Sequence, residues 1–104
     1  LEISPVEQVQ MLKDFYTNSM IFKKENIHTV KNALKLSEKN GAVLSGKTGT
    51  GAVNGKNING WFIGYVEKGG KTFIFAANIQ NEDNAKGSTA ANITLSILND
   101  KDIY

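Results

Sequence analysis

The sequence predicts an α+β fold, a three-stranded antiparallel meander flanked by helices. Three observations carry this. A strong helix start, Ser4-Pro5-Val6-Glu7, opens the chain. Three apolar runs separated by glycine-bearing turns occupy its middle. A last run, residues 88–98, spaces its apolar side chains for a helix rather than a strand. At 104 residues the chain is at most one small domain with a modest core.

Taken in order, Ser4 is the expected N-cap, Pro5 suits the first helical position, and Glu7 completes a capping box. Val9, Leu12, Phe15 and Tyr16 then share one helical face, and the helix is expected to end near Thr17-Asn18. A second, shorter helix starts at Glu25 or Asn26, with Ile27, Val30 and Leu34 on its apolar face. Ser37 to Asn40 reads as polar turn chemistry leading into Gly41. The three strands are expected over residues 42–50, 59–67 and 72–79, with Gly69-Gly70 turning the last two into a hairpin. A polar loop over residues 80–87 leads to the final helix, whose buried stripe is expected to be Ile93, Ile97 and Ala90.

On the second strand, Trp61, Ile63 and Tyr65 point to one face, and Phe62 and Val66 to the other. Both faces are apolar, so both need a covering layer. The aromatic residues here read as core rather than as a ligand cage. Leu1 is not preceded by Met, and the chain opens straight into a helix signal, as expected of a piece of a longer polypeptide.

Composition removes several function classes. The net charge is +2 and the lysines are scattered, so no basic stripe for nucleic acid exists. Without Cys there is no disulfide and no thiolate metal site. No apolar run reaches the roughly 18 residues of a membrane helix within this segment. Glu82-Asp83 reads as a solvated acidic pair rather than a metal site, and His28 has no Asp or Ser motif beside it. Glu67, at a strand end, reads as a solubilising residue. No cofactor is expected. All 12 basic residues are lysines, so no guanidinium fork is present to grip a carboxylate or phosphate.

One stretch carries two competing motifs. Gly41 to Thr48 fits the phosphate-loop pattern G-x-x-x-x-G-K-[ST]. A phosphate loop needs a buried strand before its first Gly and a helix opening at Lys-Thr. Here polar residues precede Gly41, apolar ones fill the would-be loop, and Gly49, Gly51 and Gly55 follow, each costing a helix about 1 kcal/mol relative to Ala. A turn followed by a strand suits every residue, and the nucleotide reading is rejected.

The second motif is Lys47-Thr48-Gly49, inside Leu44-Ser45-Gly46-Lys47-Thr48-Gly49-Thr50-Gly51. It is joined by Gly60-Trp61-Phe62-Ile63-Gly64-Tyr65-Val66-Glu67 and by the opening Ile3-Ser4-Pro5-Val6-Glu7-Gln8-Val9. Together these segments resemble the C-terminal part of class D β-lactamases and of the related penicillin-sensor domains, over essentially the whole chain. The tripeptide alone is weak; the aromatic strand about ten residues later makes the resemblance specific. It implies a β-lactamase/transpeptidase-like fold. The meander would then belong to a larger sheet, completed by strands from an N-terminal part, with the C-terminal helix packed on it. Residues 1–104 would be the C-terminal portion of that domain.

The resemblance also implies roles. Lys47 would supply positive charge to the site, Thr48 would bind the substrate carboxylate, and Gly49 would let the substrate approach the strand. The backbone N–H of Thr50 would be one oxyanion-hole donor. The family nucleophile is the Ser of S-x-x-K, and no serine here has Lys three residues on. The Arg that most class D enzymes carry near the start of the last helix has no match in Gly87-Ser88-Thr89-Ala90-Ala91, where Lys86, Ser88 or Thr89 would have to serve. Strict alternation would also send Lys47 and Thr48 to opposite faces.

Three functions follow as expectations. The first is part of a serine β-lactamase that hydrolyses β-lactams through an acyl-serine intermediate, with the fragment alone inactive. The second is a penicillin-sensor domain of a membrane signal transducer, acylated without turnover. The third is a small non-catalytic binding module. The expected partners are a β-lactam and either the N-terminal part of the same polypeptide or a second copy. The expected location is extracytoplasmic, secreted or membrane-anchored.

Overall fold

The computed structural model describes residues 3–17 and 24–104. The first helix, α1 (Pro5–Thr17), begins where the capping box places it. The Glu7 backbone N–H donates to Ser4 Oγ at 3.1 Å, and the Ser4 N–H donates back to Glu7 Oε1 at 3.2 Å. Two otherwise orphaned donors are thereby satisfied. The expected end at Asn18 lies outside the described residues. Helix α2 (Lys24–Leu34) buries Ile27 and leaves Val30 exposed.

Four strands follow, not three: β1 (Lys35–Lys39), β2 (Ala42–Val53), β3 (Lys56–Lys68) and β4 (Lys71–Gln80). They form one antiparallel sheet in the order β1-β2-β3-β4. The additional strand is Lys-Leu-Ser-Glu-Lys, and all five of its residues are exposed. It has no buried face to create an alternating pattern; backbone pairing to β2 defines it, and its sequence reads as a turn. The turns themselves are as the sequence implies. Asn40-Gly41, Asn54-Gly55 and Gly69-Gly70 all have positive φ at both residues. This is the type I′ geometry whose twist matches the flanking strands.

Helix α3 (Gly87–Asp100) covers one face of the sheet. Ala42, Leu44, Val66 and Leu98 form the buried cluster there, with Phe73, Phe75, Leu95, Ile103 and Tyr104 packed around it. Phe62, almost completely buried, lies on the same side with its ring 5.0 Å from that of Phe75. Each such side chain contributes roughly 1.5–3 kcal/mol when fully buried. The stripe that α3 buries is Gly87, Ala90, Thr94 and Leu98, whereas Ile93 and Ile97 are 46% and 48% exposed. Small residues at 87, 90 and 94 let the helix lie close to the strands. Thr94 can be buried because its hydroxyl donates to the Ala90 carbonyl at 2.7 Å.

Helix α1 packs on the other face. The Tyr16 ring meets that of Tyr65 edge-on, with centroids 4.9 Å apart, and the Tyr16 hydroxyl donates to Glu67 Oε2. Glu67 is therefore a partner in a packed contact, not merely a solubilising strand end. Lys31 of α2 places its ammonium 3.7 Å from the Tyr16 ring centroid, joining the second helix to this contact.

Candidate binding site

The register of the sheet positions the Lys-Thr-Gly segment. Strand β1 pairs with β2 only as far as Lys35 opposite Ser45. From residue 46 to 53, β2 is paired, among the described residues, with β3 alone and presents its other side as an edge. The unpaired side is thus confined to this half, which carries Lys47, Thr48, Gly49 and Thr50. The strand runs straight through Lys47, and no helix opens there.

Alternation is kept. Ser45, Lys47 and Gly49 stand opposite Tyr65, Ile63 and Trp61, on the face that α1 covers. Thr48 and Thr50 stand opposite Phe62 and Gly60, on the α3 face. Lys47 is exposed, and its ammonium curls back along the strand to donate to the Thr48 carbonyl at 3.0 Å. Lys47 and Thr48 therefore flank the same strand from opposite faces.

The N-terminus of α3 abuts this segment. Its N-cap residue, Lys86, makes no side-chain capping bond; instead the Gly87 N–H donates to Thr50 Oγ1 at 2.9 Å. A strand hydroxyl thus satisfies one of the helix's orphan donors. The approach is close. A Cβ at Gly87 would lie 2.8 Å from Thr48 Cβ and 2.8 Å from the Gly49 carbonyl oxygen. Opposite Thr50, a Cβ at Gly60 would collide with the Lys86 carbonyl group. Lys86, Ser88 and Thr89 are exposed around this helix start.

On the α1 face, Ile3, Gln8, Lys47, Thr48, Gly49, Trp61 and Ile63 line a cavity of 270 Å³. Lys47 is the only charged side chain among them. Gln8 Oε1 is buried and has no hydrogen-bond partner among the described residues. Gly49 differs from its neighbour Gly46. A Cβ at Gly46 would strike the Ile63 carbonyl at 2.6 Å, but one at Gly49 would meet only Trp61 Cβ at 3.9 Å, an ordinary contact. Within the described residues, packing requires glycine at 46 and does not require it at 49.

A larger cavity of 620 Å³ lies beside the start of α1, lined in part by Asn59, Asn78 and Gln80. Its amides are spent on one another: Asn78 donates to Asn59 Oδ1 and to the Gly60 carbonyl at 3.2 Å, and Gln80 donates to Asn78 Oδ1 at 3.1 Å. The remaining sequence candidates lie apart from Lys47. His28 is exposed on α2 and bonded to Asn32. Asp83 Oδ1 accepts from the backbone N–H groups of Asn57 and Asn84, at 3.1 and 2.8 Å, which organises the loop before α3. Two tyrosines are electrostatically altered. Burial raises the Tyr65 hydroxyl above its usual range, against an opposing hydrogen bond with Ser45. Burial and then the bond to Glu67 raise Tyr16.

With this geometry in view, residues 1–99 match the family described as the penicillin binding protein transpeptidase domain. The chain belongs to that family. Among its relatives is the regulatory protein BlaR1 of Bacillus licheniformis, 59% identical over all 104 residues. The chain spans only 17% of that protein's length. The solved C-terminal domain of the Bacillus licheniformis BlaR penicillin-receptor superimposes with a TM-score of 0.92, covering all of this chain and 42% of that one. The class D β-lactamase BAT-2 superimposes with a TM-score of 0.86 at 32% identity, covering all of this chain and 41% of that one. The transpeptidase-domain fold expected from the aromatic strand and Lys-Thr-Gly is thereby shown. Gln8 and Gly87 were not singled out by sequence reasoning. Glycine at a helix start hinted at the second; nothing local to residue 8 pointed to the first.

Proposed function

We propose that this chain is the Lys-Thr-Gly half of a penicillin-sensing domain, acylated by β-lactams and slow to release them, on the extracytoplasmic side of a membrane. The observation that carries this is the likeness to the BlaR penicillin-receptor domain, at 59% identity and a TM-score of 0.92 over the whole chain. Sequence alone placed the hydrolase first; this relative reverses the order.

In the reaction, a serine oxygen bonds to the lactam carbonyl carbon, the lactam C–N bond breaks, and the serine proton passes to the nitrogen. That serine would lie outside these residues. Lys47 supplies positive charge beside it. The Thr48 hydroxyl takes the ligand carboxylate, and the Thr50 N–H is one donor to the oxyanion. Gly49 supports this assignment, because internal packing leaves room for a side chain there, and a ligand lying along the β2 edge would need that space.

A hydrolase is the second reading, favoured by the likeness to BAT-2. One experiment separates the two. The full-length protein is incubated with a β-lactam and followed by intact-mass spectrometry and by nitrocefin colour. A stoichiometric adduct that persists for hours identifies a sensor. Sustained turnover identifies a hydrolase. Neither adduct nor turnover would leave a non-catalytic binding module.

A further inference from the structure

We infer that the turn after α3 is a strap: residues 101–104 fold back across the end of the sheet and hold β1 on β2, so that β1 opens as a local unit once the contacts of Tyr104 are removed. The inference rests on packing alone and not on the proposed penicillin-sensing role. Strand β1 needs such a fastener. All five of its residues are exposed, so no burial of its own side chains retains it. Its pairing with β2 is also irregular, with a register shift between Lys35 and Ser37. A short strand with solvent-exposed backbone bonds and little apolar contact lies at the low end of local stability.

The strap itself is well seated. Asp102 has a φ of 60°, the left-handed conformation that turns a chain off the end of a helix. The N–H groups of Ile103 and Tyr104 both donate to the Leu98 carbonyl, at 2.8 and 3.2 Å. Lys68, at the end of β3, donates to the Asp102 carbonyl at 2.8 Å. Ile103 and Tyr104 pack on the buried cluster of Ala42, Leu44, Val66 and Leu98. From that seat Tyr104 reaches β1 twice. Its hydroxyl shares a hydrogen bond with Ser37 Oγ, and the Lys39 ammonium lies 4.7 Å from its ring centroid. Tyr104 thus joins a strand that buries nothing to the apolar cluster under α3. What β1 covers gives the strap its consequence. Pairing with β1 occupies the outer side of β2 over residues 42–45, and residues 46–53 are bare among the described residues. Release of β1 would merge the two lengths into one open edge running through Lys47, of the kind that invites pairing with another chain.

Hydrogen exchange of the full-length protein, read by mass spectrometry on peptides covering residues 35–45 and 56–68, tests this beside urea unfolding. Tyr104→Leu keeps an apolar side chain for the cluster and removes both contacts to β1. If the strap holds β1, this variant speeds exchange of the amides protected by β1–β2 pairing roughly tenfold, the equivalent of one lost hydrogen bond. Exchange in β3 and the urea midpoint should stay near wild type, because the opening is local. Unchanged exchange over residues 35–45 would overturn the inference. So would an equal rise in both peptides with a lowered midpoint, which would make Tyr104 a core residue and nothing more. Should Tyr104→Leu fail to fold, a cycle of Tyr104→Phe and Ser37→Ala decides. Each should speed β1 exchange alone, and the pair together no more than either one. Additive effects, or none, would refute the contact.

Discussion

The Gly87 backbone N–H donates to Thr50 Oγ1 at 2.9 Å, so the first residue of α3 is tied to the strand that carries Lys-Thr-Gly. The bond explains how a helix whose own N-cap side chain makes no capping contact is started at a fixed point on the sheet. It also gives Thr50 a side-chain task separate from the backbone role proposed for it.

Thr50→Val should therefore lower stability by about 1 kcal/mol, the usual cost of losing a capping oxygen. Thr50→Ser should restore most of the loss, because it returns the oxygen. Urea unfolding of the full-length protein, followed by tryptophan fluorescence from Trp61, would check both.

Two glycine substitutions should separate packing from ligand access. Gly87→Ala places a methyl 2.8 Å from Thr48 Cβ and should destabilise by roughly 1–3 kcal/mol as an overpacked contact. Gly49→Ala meets nothing closer than 3.9 Å and should leave the unfolding midpoint nearly unchanged. The acylation rate should nonetheless fall steeply in Gly49→Ala, if a β-lactam lies along that edge. An acylation rate equal to wild type in Gly49→Ala would remove the edge from the binding site.

Lys47→Ala should slow acylation by roughly 10²–10³-fold, the range for loss of a preorganised charge-stabilising donor. Its side chain is exposed, so circular dichroism and melting should be nearly unaltered. Thr48→Val should act more mildly and mainly on affinity for the ligand carboxylate. Stopped-flow acylation at several ligand concentrations would resolve rate from affinity.

The tyrosines on the α1 face predict an alkaline limit to stability. Both Tyr16 and Tyr65 are raised above the ordinary value of 10.0, first by burial. The folded state thus favours the neutral phenols. Their contribution is fully present below pH 10 and is lost as pH rises through the folded values. Tyr16→Phe should weaken that alkaline dependence by removing one of the two groups. Phenolate absorbance, recorded with unfolding as pH is raised, would show ionisation and loss of structure together.

How much of this was legible in the sequence depended on range. Ser4 and Glu7 declared the start of α1, Asn40-Gly41 a turn and Gly69-Gly70 a hairpin, because those signals act within four residues. The Trp61 strand and Lys47-Thr48-Gly49 announced the family for the same reason. Strand β1 was illegible because its residues bury nothing and backbone pairing alone defines it. The stripe of α3 was rightly placed at Ala90 and misjudged at Ile93 and Ile97, because hydrophobicity favours the isoleucines, whereas close approach to a sheet selects Ala90, Thr94 and Leu98. Gly87 owes its significance to Thr50, 37 residues earlier in the chain, a relation that only the packing of α3 against the sheet reveals.

The order of strands in space is their order in the chain, and each link is a two-residue turn. Within these four strands, pairing therefore never waits for a distant partner, and loop-closure entropy is small at each step. During synthesis, each strand can zip onto its predecessor as soon as it emerges, giving the fast kinetics of local topology. The bonds that span the sequence, Tyr16 to Glu67 and Ser37 to Tyr104, would form last. A refolding experiment should see the sheet protected from hydrogen exchange before the helices lock onto its two faces.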